Sequence, residues 1–543
     1  MQRVIPDLLS NCTSNQLNQI HGFLVTSSLA QNPNLSSLLL RRTTELRPMA
    51  QAELIFSSAD PPHVLHWNAM IRGYSHTGPF ENALKLFEEM PLRNLEPNSF
   101  TYPYLFHACS RLGDSRTGKK AHCHVIKVGF DLVPSVGLAL FNFYIKLESS
   151  NLFNARIIFD GLATKSIGLW NRMLSEYVRA GDVGSARRVF DDMPERDVVS
   201  WNSMLSGYAR GMDVESAKDV FRRMPVKNVV SWTTMVGALA GIGDLRAAKR
   251  LFDEMPERNV VSWNCMLSGY TQNGRFQQAL HLFFRMQAEG VVPDGFTLVP
   301  ALSACAHTGA LGTGKWIHHH LIGVGLQSTA KVGTALVEMY AKCGDMHRAL
   351  NIFVKMIEKD VFSWNVMIKA LAVHGRSEDA VRLFEAMKWK GIQLNDFTFM
   401  GVLFACSHGG LVEEGRRIFS SMESDFKVKP KMEHYGCLID LLCRNGRLED
   451  ANRVMMEMPY EPDIVAWGAL LGGCKVTNDL ELAERVMERV AESNSDESGV
   501  YVLASNMYAA SDRWNDAAKA REKMEQNSAW KTKGCSSVLE AAE

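Results

Sequence analysis

The chain has 543 residues, 46% of them hydrophobic and 22% charged, a mix that suits a protein with a continuous buried core and excludes a largely disordered one. Lysine and arginine total 59, as do aspartate and glutamate, for a formal charge of +0. That balance excludes a uniformly basic nucleic-acid binder, so any grip on phosphates has to come from a local basic face.

The first 44 residues hold one acid, Asp7, beside Arg3, Arg41, Arg42 and many serines, which faintly suits an organelle transit peptide. The same stretch also reads as repeat-like sequence, and residues 1–63 are taken as degenerate repeats. From Trp67 the chain becomes periodic. Trp170, Trp201, Trp232 and Trp263 lie 31 residues apart, and VVSWNSMLSGYARGMDVESAKDVFRRMP is followed by the near-copy VVSWTTMVGALAGIGDLRAAKRLFDEMP. Trp67, Trp364 and Trp467 sit in the same context, 101 to 103 residues from their neighbours, which leaves room for three units of mixed length. A second kind of unit fills those gaps, beginning at Ser99, Gly295 and Asp396. Internal periodicity of this kind overrides a domain count based on length.

Within a unit, Trp201, Met204, Leu205 and Tyr208 fall at helical spacing, and so do Val214, Ala217, Val220 and Phe221. Two short helices are predicted, with Ser200 capping the first, Gly211 breaking it and Pro225 stopping the second. Neither helix pair can bury its own apolar face, so neighbours must stack. The fold predicted is all-α, a right-handed α-α superhelix or solenoid of helix-turn-helix units with a long groove. The recurring tryptophans and methionines read as core.

The eleven cysteines show no C-x-x-C spacing and recur as Ala108-Cys109, Ala304-Cys305 and Ala405-Cys406, which points to buried thiols and not to disulfides or metal. His318, His319 and His320 are adjacent, and adjacent helical side chains point about 100° apart, so they cannot share one ion. No apolar run reaches the roughly 18 residues of a membrane span. No cofactor, metal, membrane or small-molecule substrate is expected.

The units V-V-S-W-N…G-Y…A…F-x-x-M-P, with repeats of 35, 35 and 31 residues, resemble the plant pentatricopeptide repeat proteins of the PLS subclass over residues 64–463. In that family each repeat meets one base of single-stranded RNA, chosen by the fifth and last residues of the repeat. The resemblance therefore implies a pyrimidine for Asn68 with Asn98, U for Asn171 with Asp197, and a pyrimidine for Asn202 with Asn228. Thr233 with Asn259 implies A, Asn264 with Asp294 implies U, Thr334 with Asp360 implies G, and Asn365 with Asn395 implies a pyrimidine. Pro103 with Val133, Leu138 with Ser166, Val299 with Thr329, and Met400 with Lys431 imply no base. The footprint is then Y-n-n-U-Y-A-U-n-G-Y, read from the RNA 5′ side. Asn or Asp at a repeat end is also an ordinary turn residue. The second residues Leu65, Val199, Val230, Val261 and Phe362 would be wedged between bases, although core burial suits them equally.

Residues 464–533 resemble the E extension of editing-type members, with Tyr501, Leu503, Ser505, Asn506, Tyr508, Ala509 and Trp514 matching Y-V-L-x-S-N-x-Y-A…W. The short tail 534–543 opens Gly534-Cys535-Ser536 as in that family, but Ser537 replaces its Trp. A zinc deaminase needs H-x-E and C-x-x-C, and neither occurs in this chain, so it is not expected to be an enzyme. The resemblance implies a site-recognition factor for C-to-U editing of an organellar transcript, in the mitochondrion or alternatively the chloroplast, with a DYW-type deaminase or other editing protein supplied in trans. The alternatives are an RNA factor acting by occupancy, in stability, splicing or translation, and a tetratricopeptide-like protein scaffold.

Overall fold

The computed structural model describes residues 5–27, 29–58, 63–147, 152–324, 329–477, 479–492, 498–510 and 513–526. The tail with Gly534, Cys535, Ser536 and Ser537 lies outside the described residues. Within the described residues the regular structure is all helical, thirty-two α-helices and two short 3-10 turns. The chain divides into two compact units, 1–257 and 258–543.

Each unit is a solenoid of antiparallel helix hairpins. In the first, the leading helices of successive hairpins stack on one another, Val64–Thr77 on Thr101–Leu112 and Ile167–Ala180 on Val198–Arg210, while each trailing helix packs on its own leader. The second unit repeats the scheme from Val260–Gln272 through Gly295–Thr308, Ala330–Lys342 and Val361–Val373 to Ser498–Ala510.

Aromatic pairs join one hairpin to the next. A phenylalanine of the trailing helix meets the tryptophan of the following leader edge to face: Phe56 and Trp67 at 5.1 Å, Phe190 and Trp201 at 4.9 Å, Phe353 and Trp364 at 5.1 Å. Such pairs add about 0.5–1.5 kcal/mol to the burial of the rings themselves. Trp67, Trp263, Trp364 and Trp467 are buried, as predicted, whereas Trp170, Trp201 and Trp232 are half-buried. Repeats beginning at Ser99, Gly295 and Asp396 use a different joint. A Cβ added to Gly118, Gly314 or Gly415 would lie 2.1–2.4 Å from Phe143, Met339 or Leu441, so each glycine is the socket for a side chain of the next leader.

One local expectation is corrected. The first helix of the unit at Val198 is capped by Asp197, not Ser200; the Asp197 carboxylate accepts from the Ser200 backbone N–H at 2.8 Å and the Ser200 hydroxyl accepts from the Asp197 N–H at 3.2 Å. This is a reciprocal capping box whose first member does the capping. Gly211 ends that helix, as predicted, but with a φ of −74° it is not the left-handed residue of the turn. In every neighbouring repeat the left-handed residue is the fifteenth and is glycine, as at Gly181, Gly243 and Gly274, but in this repeat the fifteenth residue is Met212, with φ 60°.

A side chain in that region costs roughly 1–2 kcal/mol, part of which glycine returns through the greater freedom of the unfolded chain. The substitution Met212→Gly is therefore expected to stabilise the protein by about 0.5–1 kcal/mol, seen as a higher thermal midpoint by circular dichroism. An unchanged or lower midpoint would show that the exposed Met212 side chain compensates for its backbone.

Candidate nucleic-acid interface

The fifth and last residues of a repeat, far apart in sequence, come together at the junction between hairpins. Asn68 Nδ2 donates to Asn98 Oδ1 at 3.0 Å and Asn171 Nδ2 to Asp197 Oδ1 at 3.0 Å. Asn202 reaches Asn228 at 3.1 Å, Asn264 reaches Asp294 at 2.9 Å and Asn365 reaches Asn395 at 3.1 Å. Thr334 joins Asp360 through the Ser363 hydroxyl, at 2.7 Å and 2.6 Å. Thr233 and Asn259 belong to different units. Of the repeats without an assigned base, the one at Asp396 ends in Lys431, which pairs with the Asp396 carboxylate at 2.5 Å.

Asp197, Asn228, Asn259, Asp294, Asp360 and Asn395 are all N-caps of the next leading helix. The turn-residue reading is thus correct for them, and it coexists with pairing. The cap explains the order of the pair. The last residue spends one oxygen on a backbone N–H and the same oxygen accepts the amide of the fifth residue, which sits behind it. Asn68, Asn171 and Thr334 are accordingly buried, whereas Asn228, Asn259 and Asp360 are exposed and Asp197, Asp294 and Asn395 half-exposed. The last residue is the more exposed member in the pairs Asn68–Asn98, Asn171–Asp197, Asn202–Asn228 and Thr334–Asp360, whereas Asn264, Asp294, Asn365 and Asn395 are all half-buried.

Burial alone would raise the Asp294 carboxyl, but hydrogen bonds from Asn264 and from the Thr297 N–H and hydroxyl outweigh it and hold Asp294 below the usual carboxylate range. Asp197 is lowered against the same burial penalty by Ser200 and Asn171. Both are anionic acceptors at neutral pH.

The second residues are surface residues. Val199 is 55% exposed, Val230 56%, Val261 63% and Phe362 63%, and only Leu65 is half-buried. The same register exposes four apolar residues that the sequence reading passed over, Phe100, Phe296, Phe397 and Val465. It also missed a row of lysines and arginines. Eleven residues past the second position, about three helical turns and so on the same face, stand exposed Arg111, Lys146, Arg179 and Arg210 in the first unit and Lys342 and Arg444 in the second, with His307 and His408 at the same position of two further helices. Some have a neighbouring acid on the helix, such as Lys342 with Glu338 at 2.8 Å and Arg444 with Asp440 at 2.8 Å. The basic residues just before two of the repeat ends are spent otherwise: Arg196 donates to Phe190 O at 2.8 Å and Lys227 to Met224 O at 3.0 Å, each over a phenylalanine ring.

In the histidine run, His318 Nδ1 lies 3.0 Å from the Tyr340 hydroxyl and His320 stacks on Trp316. At the C-terminal end, Tyr501, Ser505 and Tyr508 are buried, Arg521 donates to the Ser505 hydroxyl at 3.0 Å, and Asn506 and Trp514 are exposed.

If the fifth residue braces the junction, Asn171→Ala should lower stability by about 1–2 kcal/mol, the usual cost of orphaning buried hydrogen-bond partners. Thermal unfolding of the variant checks this, and an unchanged midpoint would leave Asn171 without a bracing role.

Comparison with known proteins finds repeats along the same stretch of the chain. The model of the PPR repeat family matches residues 62–111, 258–307 and 359–408, and PPR repeat models match 169–198, 199–229, 230–260, 334–361, 397–425 and 426–459. The E motif matches 477–539. The Arabidopsis thaliana pentatricopeptide repeat-containing protein At3g29230 is 46% identical over 98% of this chain and 89% of its own length. Pentatricopeptide repeat-containing protein At3g04750, mitochondrial, of the same plant is 35% identical over 96% of this chain and 70% of its own. Chloroplastic At5g59200, also from Arabidopsis thaliana, is 38% identical over 96% and 83%. Among solved structures, maize PPR10 superposes with a TM-score of 0.60 at 16% identity, covering 97% of this chain and 94% of that one. PPR10 in complex with an 18-nt psaJ RNA element gives 0.60 at 17%, covering 91% and 84%. Repeats, E motif and full-length relatives coincide, and the chain belongs to the pentatricopeptide repeat family as a PLS-type member carrying the E motif.

Proposed function

We propose that this protein binds single-stranded RNA in an organelle, one base per repeat, and marks a cytidine for C-to-U editing by a deaminase supplied in trans. The observation that carries the reading is the paired fifth and last residues, the last member of five of the six pairs capping the next leading helix. An outward Asp offers an acceptor, which suits the ring N–H of U or G. An outward Asn has its oxygen tied to the cap and offers its NH2, which suits the ring nitrogen lone pair of C or A. The fifth residue, Asn or Thr, then sets the distance at which a pyrimidine or purine edge is met. Reading of splayed bases on their Watson–Crick edges by helical repeats is a known mode of RNA recognition.

The exposed second residues would separate successive bases, with Phe100, Phe296, Phe362 and Phe397 contributing most, since stacking on an aromatic ring is worth about 1–3 kcal/mol. The lysines and arginines at the ends of the leading helices would lie along the phosphates. Localisation to an organelle is supported by relatives named mitochondrial and chloroplastic. The editing branch is supported by the E motif, whose exposed Trp514 is available to a protein partner.

In a gel-shift series, RNA carrying Y-n-n-U-Y-A-U-n-G-Y should bind more tightly than versions altered at the A or the G. Asp294→Asn should move the preference at the seventh base from U towards C by about tenfold, the usual scale for one discriminating hydrogen bond. Equal binding to every RNA, or to none, would favour a protein scaffold. Sequencing organellar RNA from a loss-of-function plant should reveal one or a few unconverted cytidines; full conversion with an altered transcript end or intron would replace editing with occupancy.

A further inference from the structure

Four repeats carry no base-reading pair of their own, and three of them, those at Ser99, Gly295 and Asp396, have Pro103, Val299 and Met400 as fifth residues. Each of these three nevertheless places a fully buried threonine at its third position, Thr101, Thr297 and Thr398. The hydroxyl crosses the junction and donates to the amide oxygen of the preceding repeat's fifth residue: Thr101 to Asn68 at 2.7 Å, Thr297 to Asn264 at 2.6 Å, Thr398 to Asn365 at 2.7 Å. Ser200, at the third position of the base-reading repeat from Val198, makes the same contact with Asn171 Oδ1 at 2.7 Å. We propose that these threonines are positioning residues for base recognition, so that the third residue of one repeat sets the fidelity of the repeat before it. The inference rests on the RNA-reading function proposed above.

The reason is polarity. A carboxamide has two ends of nearly equal shape, and a half-turn exchanges donor for acceptor. At the junction the backbone N–H of the third residue fixes the oxygen of the last residue, Thr297 N to Asp294 Oδ1 at 2.9 Å and Thr398 N to Asn395 Oδ1 at 3.0 Å. That oxygen admits only the Nδ2 end of the fifth-position asparagine. Its Oδ1 is thereby turned inward, where the threonine hydroxyl is the donor that satisfies it. Threonine is β-branched and so restricted about χ1, which keeps the hydroxyl in place. Without it, the inward oxygen is orphaned and the flipped amide, which presents the wrong group to the pair, becomes competitive.

A contrasting junction occurs in the same chain. Ser231 donates to Asn228 Oδ1 at 3.0 Å, and the buried Asn202 Oδ1 has no hydrogen-bond partner. Asn202 still reaches Asn228 through Nδ2, but its orientation lacks the lock.

The test uses the full-length chain and RNAs carrying U or G at the seventh base, facing Asn264 and Asp294. Thr297→Val keeps size and branching and removes only the hydroxyl; Thr297→Ser restores it. Wild type and T297S should share a U-over-G preference that T297V loses by about five- to tenfold, while preference at the fourth base, facing Asn171 and Asp197, stays as in wild type. A U-to-G ratio in T297V equal to that of wild type overturns the proposal, and so does an equal loss at both bases, which would mark a general structural role. A wild type that distinguishes neither RNA overturns base reading itself. Thr398→Val, scored as pyrimidine over purine at the tenth base, provides the same test should T297V not fold.

Discussion

The structure depends on one interaction that recurs along the chain, the cap that a last-position Asp or Asn of six repeats places on the first helix of the next. A leading helix of thirteen or fourteen residues opens with amides that have no partner inside it, and Asp or Asn at the preceding position accepts one of them, at a worth of about 1 kcal/mol. Because the same oxygen also receives the fifth-position amide of the hairpin behind, the cap fixes how far one hairpin is rotated against its neighbour. The Phe–Trp pairs and the glycine sockets then fill the space that this registration defines.

Charge is organised around the same junctions. With no net charge to draw on, the chain divides its cations between two tasks. Those just before the repeat end, such as Arg196 and Lys227, sit on the final carbonyls of a trailing helix, where a positive charge is favoured by the helix dipole. Those at the thirteenth residue of the leader face solvent beside the exposed valines and phenylalanines. The carboxylates between them remain ionised because their hydrogen bonds outweigh burial.

Much of this was legible in the sequence, and where it was not, the cause is specific. The tryptophan period and the apolar spacing after it define hairpins, and the structure places Met204, Leu205, Ala217 and Val220 in the core as the spacing requires. The position of the cap was misread because Asp197 and Ser200 are both good caps, and only their reciprocal bonding tells which one precedes the helix. Gly211 ends its helix as the sequence indicates, while stacking fixes the length of the leader, so the left-handed residue still comes fifteenth, at Met212. The surface position of the second residue was available from angle alone: it stands about 200° from the tryptophan two residues on, on the far side of the helix. Its apolar character concealed this. Which polar atoms face outward could not be read, because that depends on hydrogen bonds between residues some thirty apart.

The hydrogen-bonded pair has a consequence for how such a chain can be rearranged. Its two members belong to one repeat, but the backbone N–H and hydroxyl that orient them belong to the next, as with Asn264 and Asp294 held by Thr297. The natural unit of exchange is therefore not the hairpin. A graft cut at the repeat boundary would carry its letter but leave behind the hinge-pin that keeps the letter upright, so a transplantable cassette has to run three residues into its successor.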